Sequence, residues 1–308
     1  MSAIIKKNKY SSGSLLKEMW KHKSSYIFML PYLSLFIIFT VLPVLISVVL
    51  SFTYFNVLQP PSFVFLKNYL QLFLDDSIFQ IAVKNTITIA IIVGPVSYFL
   101  CLLLAWFINE LTPKIRAFIT LVFYAPSIAG NAYLIWGVMF SSDQYGYLNS
   151  MLIKLNIIVS PILWLKDPRY MLNIVILVSL WLSLGTSFLA FIAGFQGIDR
   201  SFYEAAAVDG IRNRWQELWY VTLPMMKPQM MFSAVMSITA SFGVGDVVTN
   251  LCGFPSNDYA AHTIINHLQD YGGTRFEMGY ASAIATILFL IMVISNLVIK
   301  RLISKVGE

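Results

Sequence analysis

The chain has 308 residues, of which 58% are hydrophobic and 12% charged, with a formal net charge of +6 and a mean hydropathy of +0.72. That is more apolar surface than one soluble core buries, so composition excludes a soluble globular protein and indicates an integral membrane protein. The excess of positive charge reflects its distribution across the membrane and calls for no nucleic-acid partner.

Stretches free of Lys, Arg, Asp, Glu and His run over 24–66, 85–109, 117–142, 171–198, 228–245 and 278–299. A helix rising about 1.5 Å per residue needs roughly 20 residues to cross the hydrocarbon layer. Six spans are therefore predicted, at about 26–51, 84–108, 115–140, 171–195, 229–250 and 278–303, the fifth reaching full length only by continuing past Asp246. The basic segment 1–25 precedes an apolar run too long for a signal peptide, and no small-residue cleavage site follows, so the first helix is expected to be retained. The membrane domain covers 26–303, and 304–308 forms a short tail.

The first helix holds Pro31 and Pro43, which membrane helices tolerate where neighbours satisfy the freed carbonyls. An outer segment with Pro60 and Pro61 and the acidic pair Asp75 and Asp76 leads to the second helix. The tight turn "NELTPK" makes the second and third helices antiparallel neighbours. Residues 141–170 form an outer loop in which Trp164 and Tyr170 suit the interfacial belt. In the last helix, Gly279 with Ala283 and Ala281 with Ala285 stand at small-xxx-small spacing, for internal packing or for a seam with another subunit. One side of this topology carries 15 of the 21 Lys and Arg, which makes both termini and the 196–228 loop cytoplasmic. Cys101 and Cys252 fall at different levels of the membrane, so no disulfide is expected.

The cytoplasmic loop contains "EAAAVDGIRNRWQELWYVTLP". Ser201 and Glu204 fit a capping box. Val208, Ile211, Trp215 and Leu218 recur at helical spacing between polar positions, the pattern of an amphipathic helix. Ala205, Ala206 and Ala207 leave one side of its first turn smooth. Gly210 costs a helix about 1 kcal/mol relative to Ala, so it marks a bend between two short helices or a place where another backbone comes close. An interfacial helix lying on the membrane accounts for the stripe and the tryptophans, whereas the alanines beside Glu204, Asp209 and Gly210 fit a protein-docking helix.

"EAAAVDG" followed by "VTLP" resembles the E-A-A loop of binding-protein-dependent ABC importer permeases, in its carbohydrate, maltose and glycerol-phosphate branch. "SFGVGDVVTN" and "FEMGYASAIATILFLI" resemble the same branch, and the resemblance covers about residues 80–303. It implies an all-α polytopic fold of the type I ABC importer permease. In that arrangement a second, homologous permease completes a pseudo-symmetric pore, two ATPase subunits hold ATP and Mg, and an extracytoplasmic solute-binding protein delivers a sugar. The resemblance gives Glu204, Ala205, Ala206, Ala207, Asp209, Gly210, Ile211, Arg212 and Trp215 to ATPase coupling, and places the chain in a prokaryotic cytoplasmic membrane. Two departures stand out. The stretch from Gly210 to Leu223-Pro224 is one residue longer than the usual spacing, which predicts a rotated or bulged second short helix. "CGFPSNDYAAHT" replaces the Gly-Gly-Pro turn common in the last outer loop.

No phosphate-binding loop occurs in the chain, and no nucleophile, metal or acid–base constellation marks an enzyme. His262 and His267, five apart in an outer loop, read as structural residues rather than a metal pair. For the substrate path, the polar and aromatic residues of helices three to five are the candidates: Tyr124, Asn131, Ser183, Thr186, Ser241, Phe242 and Asp246. The serines and threonines among them are equally able to bond a neighbouring carbonyl. Asp246 either lines the path or bonds a neighbouring helix or loop. The alternatives are an ion-coupled secondary transporter of a small polar solute, which is expected to carry more buried acids or matched broken halves, and an importer permease for a non-sugar solute.

Overall fold

The computed structural model describes residues 23–304. Most of the basic N-terminal segment and nearly all of the short tail lie outside the described residues. Five helices are long and apolar enough to cross a membrane, and a sixth span is a bent pair.

Helix α1 (Lys23–Leu50) buries no residue of its apolar window and passes through a π turn at Ile37–Val41. Its last part packs on the final helix, α12 (Met278–Ser304). A two-stranded hairpin follows, with Thr53 opposite Phe63 and Tyr54 opposite Ser62. The Asn68 amide donates to Ser51 O at 2.8 Å and Thr53 O at 2.9 Å, and Gly279 N donates to Phe55 O at 3.0 Å. The last of these bonds ties the hairpin to the start of α12.

Helix α2 (Ser77–Asn109) is the central post. Ala82, Thr86, Ile89, Val93, Ser97, Cys101, Ala105 and Ile108 are buried at spacings of three and four, one continuous stripe along the helix. The third span does not run straight through 115–140. It divides into α3 (Pro113–Ile128) and α4 (Tyr133–Met139), which meet at 82°, because Ala129 is extended and Gly130 follows. Hydropathy counts apolar residues and is blind to such a bend. The fourth span, α5 (Pro168–Leu182) and α6 (Thr186–Gln196), is interrupted at Ser183–Gly185, and the fifth, α9 (Lys227–Phe242) and α10 (Gly245–Cys252), at Gly243–Val244. A Cβ on Gly185 would stand 3.4 Å from Ser127 Cβ, so the interruptions of the third and fourth spans are neighbours. Non-helical backbone at membrane depth is tolerated where protein covers it or where it lines a cavity.

Serines join α6 to α9. Ser187 Oγ donates to Ser233 O and Ser233 Oγ to Ser187 O, both at 3.1 Å, and Ser237 Oγ donates to Ser187 Oγ at 3.0 Å. Such bonds hold helices together where apolar packing alone gives no preference for a partner over lipid. On the cytoplasmic side, Cys101, Leu102, Phe188, Phe191, Met226 and Met230 form a core that also takes Leu218 and Leu223 from the loop. Both cysteines are free and buried.

Candidate functional site

The cytoplasmic loop folds as two short helices. The first, α7 (Arg200–Val208), begins two residues earlier than a Ser201–Glu204 capping box places it. Its N-cap is Asp199, whose carboxylate accepts from Ser201 N at 3.0 Å. An anionic acceptor there satisfies a free amide and meets the positive end of the helix dipole, which leaves Ser201 and Glu204 inside the helix.

Helix α7 ends in a Schellman motif. Ile211 N donates to Ala206 O at 3.0 Å and Gly210 N to Ala207 O at 3.3 Å, with Gly210 at φ +96° and open space where a Cβ would stand. Gly210 makes the bend, through a left-handed backbone that ends the helix. The second helix, α8 (Arg214–Glu217), is capped by Asn213, which accepts from Gln216 N at 2.8 Å. The segment 204–214 is therefore a helix, a turn and the start of another helix. The stripe read from the sequence does not share one face: Val208 is 89% and Trp215 57% exposed, while Leu218 is 5% exposed. The bend at Gly210 rotates the second half out of phase with the first.

A π turn at Leu218–Thr222 follows. A π turn holds one more residue than an α-helical turn, so the second short helix is bulged, and Leu218 and Leu223 both reach the inner core. The Tyr203 hydroxyl lies 3.0 Å from Thr222 Oγ1, fixing α7 to the bulge. Glu204, Ala205, Ala207, Asp209 and Arg212 remain exposed, and Ala206 alone of the alanines is buried. A cleft of about 520 Å³ runs beside them, with Ala205, Asp209 and Ile211 facing Tyr220, Pro224 and Met225.

Of the path candidates, Asn131 stands exposed at the bend between α3 and α4 and accepts from the Tyr133 hydroxyl at 3.0 Å. Thr186 is exposed at the first turn of α6, and Asp246 is exposed in the first turn of α10 just past the interruption. Tyr124 and Ser183 are half-buried, and Ser183 Oγ donates to Leu180 O at 2.6 Å. Ser241 and Phe242 correct the sequence-based expectation. Ser241 is 1% exposed, bonds Ile238 O of its own helix and fills the space beside Gly94, and Phe242 packs in a core with Phe79 and Ile284.

Sequence reading missed the outer constraint on these spans. Asp76 caps α2 through Phe79 N at 2.8 Å and also accepts from His267 Nε2 at 3.0 Å and the Tyr280 hydroxyl at 2.8 Å. Burial alone would raise the Asp76 carboxyl, but these bonds outweigh it and hold it at about 2. Asn85 of α2 donates to the carbonyls of Tyr259, Ala260 and His262 at 3.3, 3.1 and 3.0 Å. His262 is 2% exposed, and neither of its ring nitrogens meets a hydrogen-bond partner; burial lowers it to about 4. Among the described residues, no three His, Cys, Asp or Glu side chains are grouped to hold a metal.

A bundle of membrane spans interrupted at neighbouring levels, with a folded loop anchored into its cytoplasmic core, is the architecture of a transport permease. Residues 111–308 match the family of binding-protein-dependent transport system inner membrane components, and the chain belongs to that family. It is 31% identical over 282 residues to the probable ABC transporter permease protein YesP of Bacillus subtilis (strain 168), across 90% of this chain and 89% of that relative. It is 30% identical over 281 residues to the lactose transport system permease protein LacF of Rhizobium radiobacter, across 88% and 91%. Its fold matches the crystal structure of a bacterial ABC transporter involved in the import of the acidic polysaccharide alginate, with a TM-score of 0.72 at 26% identity, covering 94% of this chain and 99% of that one. The chain is thus a multi-pass permease of a binding-protein-dependent transport system, as its E-A-A loop implied.

Proposed function

We propose that this permease is one half of the pore of an ATP-driven sugar importer in a prokaryotic cytoplasmic membrane, and that its cargo is an oligosaccharide. The cargo rests on relatives whose names specify lactose, arabinooligosaccharides and alginate. A second, homologous permease completes the pore, and an extracytoplasmic binding protein delivers the sugar. Two ATPase subunits bind ATP and Mg, so hydrolysis takes place outside this chain.

The observation that carries the coupling assignment is the exposed face of α7, with Phe202, Glu204, Ala205, Ala207 and Val208 turned away from a bundle to which Tyr203, Leu218 and Leu223 fasten it. A short helix with a smooth face and rigid anchors docks in a partner's groove and moves as a body when that partner closes. Ile211, Arg212 and the cleft beside Asp209 extend the contact. On the path side, Asn131, Thr186 and Asp246 are the polar groups presented to the second permease, with Tyr124 and Ser183 behind them.

The test is reconstitution with the co-expressed ATPase, second permease and binding protein in vesicles. Labelled oligosaccharide uptake should require ATP and all four components, and Glu204→Lys or Gly210→Pro should abolish it while leaving membrane insertion intact. Uptake by this chain alone, or normal uptake in either variant, would overturn the assignment.

A further inference from the structure

Beside α7, the second half of the loop meets the cytoplasmic end of α2. Arg214 Nη2 lies 3.0 Å from Glu110 Oε2 and its Nη1 lies 2.8 Å from Glu217 Oε2, so one guanidinium bridges α8 to the residue that caps α2. One turn back along α2, Trp106 meets Trp215 at a ring-centroid distance of 4.9 Å and a tilt of 58°. Arg116 Nη2 donates to Asn109 O at 2.9 Å and Leu111 O at 3.1 Å, which closes the turn from α2 into α3. Trp106, Glu110, Arg116, Arg214 and Glu217 line a cavity of about 630 Å³ between the loop and the α2–α3 turn.

We infer that Arg214 is a positioning residue: with Trp215 it forms a strut that carries motion of the docked loop into α2 and the bent third span. The loop is joined covalently to α6 and α9 alone, so α2 and α3 receive its displacement only through packing and through this strut. A lone exposed ion pair holds little. Here one planar fork is shared by two carboxylates, a geometry that lysine does not reproduce, with an indole pair beside it. The inference rests on the coupling role proposed for α7.

The experiment measures sugar transported per ATP hydrolysed in the full reconstituted complex. Arg214→Glu and Glu110→Arg should each lower that ratio about fivefold, a typical size for coupling between sites, with ATPase co-purification unchanged. The double exchange should restore it to within about twofold, and Arg214→Lys, which preserves charge and folding, should fall between. An unchanged ratio in the single variants and in Arg214→Lys overturns the strut, as does a double exchange no better than its parents. If wild-type complex shows no ATP-dependent uptake, the proposed function fails; if it couples and all variants couple equally, the strut alone fails.

Discussion

His267 Nε2 lies 3.0 Å from Asp76 Oδ2 across 191 residues of chain, and the same carboxylate caps α2 and takes the Tyr280 hydroxyl. Three donors from three elements converge on one side chain, so its removal leaves all three without a partner. Asp76→Ala should destabilise the bundle by about 3 kcal/mol, combining a lost cap with orphaned buried donors, as read by thermal unfolding in detergent. The pH dependence has a fixed sign. A carboxyl depressed from the ordinary 3.8 to about 2 contributes stability that is fully present above its ordinary value and is lost as pH falls through the folded one. In wild type that loss should appear below about pH 4, and Asp76→Ala should lack it.

His262 shifts in the same direction for the opposite reason, since burial favours its neutral form. Burial lowers it from 6.5 to about 4, so the folded loop keeps it neutral while an opened loop would take up a proton. Protection of the outer loop should therefore weaken as pH falls below 6.5 and level off near 4. Asp76, Asp270 and His267 face the same ring and set the field around it. Because both ring nitrogens lack partners, His262→Phe removes no hydrogen bond and should flatten this dependence. Hydrogen exchange of the 260–264 amides at about pH 7 and about pH 5, corrected for intrinsic rates, measures it. A variant with the wild-type slope would assign the effect elsewhere.

The spans were legible because membrane helices need long apolar runs, and the loop because capping residues, alanines and Gly210 stand close together in sequence. Gly210 allowed a bend or a close backbone approach, and the long spacing before Leu223 a rotated or a bulged helix; the chain has a bend at Gly210 and a π turn at Leu218–Thr222. Ser201 and Glu204 offered a helix start, and Asp199, two residues earlier, takes the cap instead. The bend at 129–132 leaves hydropathy unchanged and so leaves no trace in it. The Asp76–His267 and Asn85–Tyr259 bonds join residues far apart in sequence, and no local pattern reports such a pairing. Burial of Ser241 against Gly94 depends in the same way on which face of α9 meets α2.

Gly210→Ala separates fold from coupling. Its φ of +96° is strained for any residue with a Cβ, and no neighbour lies within 4 Å to be displaced. The cost is therefore backbone strain of about 1 kcal/mol, too little to unfold the bundle. The Schellman turn sets the angle between α7 and α8, so ATP-dependent uptake should fall by more than half while the unfolding temperature moves by only a few degrees. Asn at this position tolerates the left-handed region and should retain more uptake than Ala. Equal uptake in all three would remove the bend from the coupling path.

Gly279 is where the outer hairpin and α12 come closest. A Cβ there would overlap the Thr53 carbonyl oxygen and press on Phe55 N at 3.0 Å, and both are backbone atoms, so no side chain can swing away. Gly279 N also donates to Phe55 O, so the hairpin and helix cannot separate without losing that bond. Gly279→Ala should therefore cost about 1–3 kcal/mol, as overpacking does where nothing yields. Ala283, one turn on, is buried in helical backbone, and Ala283→Gly should cost about 1–2 kcal/mol through helix propensity and a lost buried methyl. Limited proteolysis after residue 54 reads the difference: Gly279→Ala should open the hairpin to cleavage, and Ala283→Gly should leave it protected. If Gly279→Ala is as resistant as wild type, the hairpin is held by Asn68 and Tyr69 and does not depend on the close approach at Gly279.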